Sequence, residues 1–162
     1  MAETTTRPNL LLVEDDADTL EVLSILLGER YAVSAYRSPL DALRELGTAR
    51  PDLLILDIGM HPINGVECLQ KIRATPGNAD VPAMALTGYA RDDERARFLA
   101  RGFQAVVVKP ILDSEDLMAV IDGLVDRSAA SGCDAVPDLD AQARMPKFIA
   151  RGASQTGRGR LA

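Results

Sequence analysis

Leu10-Leu11-Leu12-Val13 runs straight into Glu14-Asp15-Asp16, and this junction decides the fold. Four apolar residues in unbroken succession leave no polar face, so a strand made of them must be covered on both sides. The three acids that follow put its carboxyl end at solvent. The design repeats at Asp52 to Asp57, which reads DLLILD, apolar within and acidic at its end. Working outward, Leu20, Leu23 and Leu27 recur at helical spacing and predict a helix from Asp18 to Leu27 with one apolar stripe. Tyr31 to Tyr36 reads as a strand, and Pro39 to Leu46 as a helix with Ser38 as its cap and Pro39 in its first turn. After DLLILD come a helix from Val66 to Arg73, a strand from Val81 to Thr87 and a helix from Asp92 to Arg101. A strand from Ala105 to Val108 and a helix from Ser114 to Val125 complete the series. Strict alternation predicts an α/β fold, a doubly wound five-stranded parallel sheet with right-handed crossovers and helices on both faces.

Length and composition agree with one such domain. The chain has 162 residues, 47% of them hydrophobic, enough to fill a core without disulfides. Residues 127–162 carry six basic and three acidic side chains, whereas residues 1–126 carry 12 basic and 21 acidic ones. A composition boundary therefore falls near Arg127, giving an N-terminal extension at 1–8, a domain at 9–127 and a C-terminal tail at 128–162. The tail is rich in Gly, Ser, Ala and Arg, with a short helix expected around Leu139 to Ile149. Its apolar strip, Met145, Phe148 and Ile149, is suited to dock back on the domain or onto a second copy in a homodimer. A net charge of −6 argues against a phosphate-backbone footprint over the whole molecule, so direct nucleic-acid binding is not expected. Cys68 and Cys133 lack metal-ligand spacing, and Cys68 reads as a buried filler rather than a catalytic thiol. With no apolar signal-peptide core and no membrane span, the expected location is the cytoplasm.

The polar residues stand at matching places in the alternation. Glu14, Asp15 and Asp16 follow the first strand, Asp57 ends the third, Thr87 ends the fourth and Lys109 follows the fifth. In an open parallel sheet the carboxyl edge is where ligands bind, beside the point where strand order reverses. Singly, each has a plainer use: the acids as a helix cap, Asp57 as a turn residue, Thr87 as a strand terminator and Lys109 as a surface charge. Together they converge on one crevice, where several carboxylates repel one another unless a cation compensates. Mg²⁺ suits such a place, since it takes oxygen ligands and binds through one or two carboxylates together with phosphate oxygens. The expected ligands are Asp57 and Asp16 directly, Asp15 directly or through water, and a main-chain carbonyl just after Asp57. Lys109 adds a point charge for phosphoryl oxygens, Thr87 a hydroxyl donor, and Asp57 a carboxylate nucleophile able to form an aspartyl phosphate.

LLLVEDD, LLILDIGMHPINGVE, ALTGYA and VVVKP, at these separations, resemble the receiver domain of two-component response regulators over roughly Asn9 to Arg127. The resemblance implies a flavodoxin-like (CheY-like) sheet in the order 2-1-3-4-5. It implies that Asp57 is phosphorylated from a phosphohistidine on a histidine kinase or histidine phosphotransfer protein, and that a downstream protein target reads the result. By the same resemblance Asp15 and Asp16 are the acidic pair, the Gly59 carbonyl is a Mg²⁺ ligand, Thr87 is the switch hydroxyl and Lys109 contacts the phosphoryl group. Lys109-Pro110 is expected to be cis.

Three departures from the family pattern stand out. Met60-His61-Pro62-Ile63-Asn64-Gly65 replaces the frequent Met-Pro-Gly-Met-Asp-Gly, which moves the proline by one place. His61, the only histidine, reads as a loop residue without ligand partners. Phe103 stands where a small residue is common, and Val106 where an aromatic switch residue is common. With no ring at Val106, coupling is expected to run through Thr87 and Tyr89 to Arg95 and Phe98. Of the competing functions, a Mg²⁺-dependent phosphatase with an aspartate nucleophile would want a second acid two residues after Asp57, where Gly59 stands. A nucleotide or flavin binder would want a glycine-rich loop after the first strand, where three acids stand.

Overall fold

The computed structural model describes residues 6–88 and 90–130. Within them strands and helices alternate as β1 (Asn9–Val13), α1 (Ala17–Gly28), β2 (Ala32–Tyr36), α2 (Pro39–Ala49) and β3 (Leu53–Asp57). There follow α3 (Gly65–Ala74), β4 (Ala83–Thr87), α4 (Asp92–Ala100), β5 (Ala105–Val108) and α5 (Ser114–Ala130). All pairings are parallel and the strand order is β2-β1-β3-β4-β5, as the alternation and the resemblance implied. The expected tail helix, the apolar strip and Tyr89 lie outside the described residues.

Period-two alternation sorts the core. Leu10 and Leu12 of β1 and Leu53 and Ile55 of β3 face one side, where Leu23 and Leu27 of α1 and Leu117, Ile121 and Leu124 of α5 cover them. Leu11, Val13, Leu54 and Leu56 face the other, against Ala42 and Leu46 of α2 and Cys68, Leu69 and Ile72 of α3. Both faces of β1 and β3 are thus sealed, as the unbroken apolar runs required. Each such leucine contributes about 1.5–3 kcal/mol by leaving water. α4 is different: DDERARFLA has no buried residue, and Phe98 is its main anchor, packed edge-on against Phe103 at 6.5 Å between ring centroids.

Element ends differ from expectation where a local bond decides. Tyr31 stays outside β2 because its N–H donates to Leu27 O at 2.9 Å, still closing α1. β4 begins at Ala83, because Pro82 has no N–H to give the ladder. Ser38 occupies the N-cap position of α2 and Pro39 its first turn, yet the serine side chain makes no capping hydrogen bond. α5 runs five residues past Val125, so the expected boundary at Arg127 falls inside a helix. In the rearranged loop after β3, Asn64 forms a full capping box with Glu67 at the start of α3. His61-Pro62 is cis there, and Lys109-Pro110 is cis as expected.

Candidate metal centre

Strand register builds the site. Val13 lies opposite Leu56, so Glu14 comes level with Asp57 across the β1–β3 pair. Asp57 in turn lies opposite Leu86, which places Thr87 one step beyond it, and Thr87 lies opposite Val108, the residue before Lys109. Four strand ends thereby meet at one edge. The Lys109 N–H donates to Thr87 O at 2.8 Å and the Ile58 N–H to Leu86 O at 2.8 Å, fixing the loops where they leave the sheet.

Carboxylate oxygens of Glu14, Asp15 and Asp57 lie within 4.8 Å of one another. Glu14 is wholly buried and Asp57 is 4% exposed. Lys109 Nζ reaches Glu14 Oε2 at 2.9 Å and Asp57 Oδ1 at 3.3 Å. The Gly59 N–H donates to Asp57 Oδ1 at 3.3 Å and the Asp16 N–H to Glu14 Oε1 at 3.2 Å. Burial pushes the Glu14 carboxyl above the usual carboxylate range, against the hydrogen bond from Lys109. At Lys109 burial works against the charge, but the bond to Glu14 and the charge of Asp57 prevail and hold the ammonium above the ordinary lysine value. Three carboxylates set against one ammonium leave two negative charges for a divalent ion to balance. Hard oxygen donors in a half-open crevice make this a Mg²⁺ site.

The expected acidic pair needs correction by one residue. Asp16 is exposed and is the N-cap of α1; its Oδ1 accepts from the Thr19 N–H at 2.7 Å, and that bond holds its carboxyl below the usual range. Its carboxylate is spent on the helix, outside the cluster. Glu14 joins the cluster instead, because it is the first residue past β1 and comes level with Asp57. Three consecutive acids hid which of them still lies level with β3 and which already caps α1. Asp15 and Asp57 lie in the cluster, Lys109 reaches Asp57, Thr87 ends β4 at the same edge, and Gly59 is tied to Asp57 through its N–H.

Residues 10–122 match the family described as the response regulator receiver domain. The chain is 38% identical over 122 residues to the CpxR homolog, a transcriptional regulatory protein of Haemophilus influenzae, covering 75% of this chain and 52% of that one. It spans about half the length of the named transcriptional regulators it matches. Among solved structures, the receiver domain of a DNA-binding response regulator from Colwellia psychrerythraea 34H is 30% identical, with a TM-score of 0.66, covering 74% of this chain and 98% of that one. The receiver domain of a sensor histidine kinase from Pseudomonas aeruginosa PAO1, which has a magnesium ion coordinated in its active-site cleft, is 25% identical. Its TM-score is 0.67, with 74% of this chain and 98% of that one covered. With that match over most of the folded region, and with acids and lysine gathered at the carboxyl edge of a 2-1-3-4-5 sheet, this chain belongs to the response regulator receiver domain family.

Proposed function

We propose that Asp57 is the residue phosphorylated, that Glu14 and Asp15 with Asp57 and the Gly59 carbonyl hold Mg²⁺, and that Thr87 and Lys109 bind the incoming phosphoryl oxygens. The observation that carries this is the placement of Lys109 Nζ at 3.3 Å from Asp57 Oδ1, beside three clustered carboxylates. Bound Mg²⁺ supplies electrostatic stabilisation of the phosphoryl oxygens. The chain's own residues do the rest. Asp57 Oδ attacks phosphorus, forming an O–P bond as the N–P bond of a phosphohistidine breaks and the imidazole leaves with the electron pair. Lys109, held between Glu14 and Asp57, is aimed where charge gathers on the phosphoryl group. Strand β3, buried along its whole length, fixes the nucleophile against the crevice.

The donor is the phosphohistidine of a histidine kinase or histidine phosphotransfer protein, met in the cytoplasm, and the output passes through contacts with a protein target. No helix among the described residues is long and apolar enough to cross a membrane, in keeping with that placement. Intact-protein mass spectrometry after incubation with acetyl phosphate and Mg²⁺ tests the assignment. The wild type should gain one phosphoryl group and Asp57→Asn none, with its circular dichroism unchanged; undiminished labelling of the variant would remove Asp57 from the role. Phosphotransfer profiling against a panel of histidine kinases would then identify the donor.

A further inference from the structure

Arg73 stands in the last turn of α3, half-buried, and its guanidinium binds main-chain carbonyls. One nitrogen, Nη1, donates to Val81 O and, at 3.3 Å, to Asn78 O in the loop between α3 and β4. The other, Nη2, donates at 3.2 Å to Gly102 O in the turn after α4. A planar fork with donors fixed in several directions can bridge two separate segments, which the compact ammonium of a lysine cannot do with this geometry. Burial holds the guanidinium below the ordinary arginine value, with the charge of Asp80 working the other way. The bridge is thus kept against a solvation penalty.

Gly102 lies just past Arg101, the C-cap of α4. Its N–H donates to Leu99 O at 3.2 Å and the Phe103 N–H donates to Phe98 O at 3.3 Å, so the turn moves with the helix end. Next in the chain, Gln104 is joined to Ala83 of β4 twice. Its N–H donates to Ala83 O at 2.8 Å, and its Oε1 accepts from the Ala83 N–H at 2.7 Å. Phe98 packs on Phe103 at this same end. The amino end is held less: Asp92 and Asp93 are exposed, and α4 buries no residue of its own. A helix with so little burial is among the first elements to move.

We propose that Arg73 makes the carboxyl end of α4 a pivot, so that a change at the Thr87 edge tilts the helix about Gly102 instead of sliding it. Asp92 lies about 13 Å from Arg101 at the helical rise, and a tilt of about 10° would carry Asp92 by about 2 Å while Arg101 hardly moves. The surface that changes is then the acidic first turn, Asp92, Asp93 and Glu94. Arg73 acts here as a positioning residue, through α4. The pivot rests on these contacts alone, whereas the trigger for the tilt rests on the phosphoacceptor assignment.

The test uses the full ¹⁵N-labelled chain as wild type, Arg73→Met and Arg73→Lys. Methionine keeps an unbranched apolar stem and gives up every donor; lysine keeps the charge without the fork. In the free protein, hydrogen exchange at the Gly102 and Phe103 amides should rise about tenfold or more in both variants, with less than about twofold change at Arg95 and in β1 and β3. With Mg²⁺ and beryllofluoride, wild-type amide shift changes should decline from Asp92 to Arg101, and in both variants they should become level along the helix. Equal acceleration of exchange throughout the chain would make Arg73 a general stabiliser and overturn the proposal. Wild-type behaviour of Arg73→Lys, or wild-type shift changes as large at Arg101 as at Asp92, would overturn it too. If neither variant folds, the wild-type gradient decides whether the helix pivots at Gly102. If beryllofluoride shifts no amide in any chain, the Asp57 assignment fails and the exchange measurement still decides the pivot.

Discussion

Gly65→Ala should destabilise the protein while the same exchange at Gly123 stabilises it. Alanine is favoured over glycine in a helix by about 0.8–1.0 kcal/mol. At Gly123, within α5, a Cβ meets nothing within 4 Å, so the gain there should be about 0.5–1 kcal/mol. Gly65 opens α3, and a Cβ on it would lie 2.5 Å from Asp57 O, 3.0 Å from Asp57 C and 3.1 Å from Ile58 Cα. These are backbone atoms at the end of β3, pinned by the sheet, with no rotamer through which to yield. Overpacking costs about 1–3 kcal/mol, and a 2.5 Å approach to fixed backbone puts Gly65 in the upper part of that range, about 2–3 kcal/mol; less the helix gain, a net loss of about 1–2 kcal/mol remains. For a urea slope near 1.5 kcal/mol per molar, the midpoint should fall by roughly 1 M with the slope unchanged. Urea unfolding followed by circular dichroism measures both variants. Because the contact is with the main chain of Asp57, Gly65→Ala should also weaken Mg²⁺ binding in native buffer. If both substitutions raise the midpoint, the α3–β3 approach is looser than the distances state and the reasoning fails.

By isothermal titration, Glu14→Gln and Asp15→Asn should each lower Mg²⁺ affinity by about tenfold or more. Asp16→Asn should leave it unchanged, since asparagine caps a helix as well as aspartate does; an equal loss there would return Asp16 to the ligand set. Burial pushes the Cys68 thiol up to about 11 from 9.0. The raised value means that the neutral thiol's contribution to stability is present below pH 9 and lost as pH rises through 11. A Cys133→Ser chain at pH 8 should therefore resist alkylation until urea is added, and rapid native labelling would contradict the burial. Amide shifts induced in α4 and β5 by a phosphate mimic should shrink with Thr87→Ala and persist with Val106→Ala; loss with the latter would make Val106 part of the coupling.

Continuous apolar runs ending in acids made the sheet legible, because a strand covered on both faces admits few other sequences. Strand order came with the motif resemblance, whereas the lysine's place at the carboxyl edge followed from the alternation itself. Local bonds were harder to see: the Tyr31 N–H could serve strand or helix, and only the completed turn of α1 claims it. The acidic pair was read one residue late because three acids in a row conceal which of them still lies level with β3 and which already caps α1. The two departures at Phe103 and Val106 looked independent in the sequence, yet both lie in one cluster with Phe98. A ring at 103 occupies the core face on which 106 carries none, a relation that only the turn after α4 brings about.

The ion pair between Lys109 and Glu14 joins positions 95 residues apart. Glu14 is made early in synthesis and Lys109 late, so no partly made chain that lacks β5 contains the finished crevice. Contacts of such long sequence separation are the costliest in loop entropy to form. A nascent or misfolded chain can expose an aspartate at position 57, but the ammonium that faces it arrives only when the last strand is in place. Competence to take a phosphoryl group is thereby tied to completion of the sheet, which keeps unfinished molecules from entering the signalling pool.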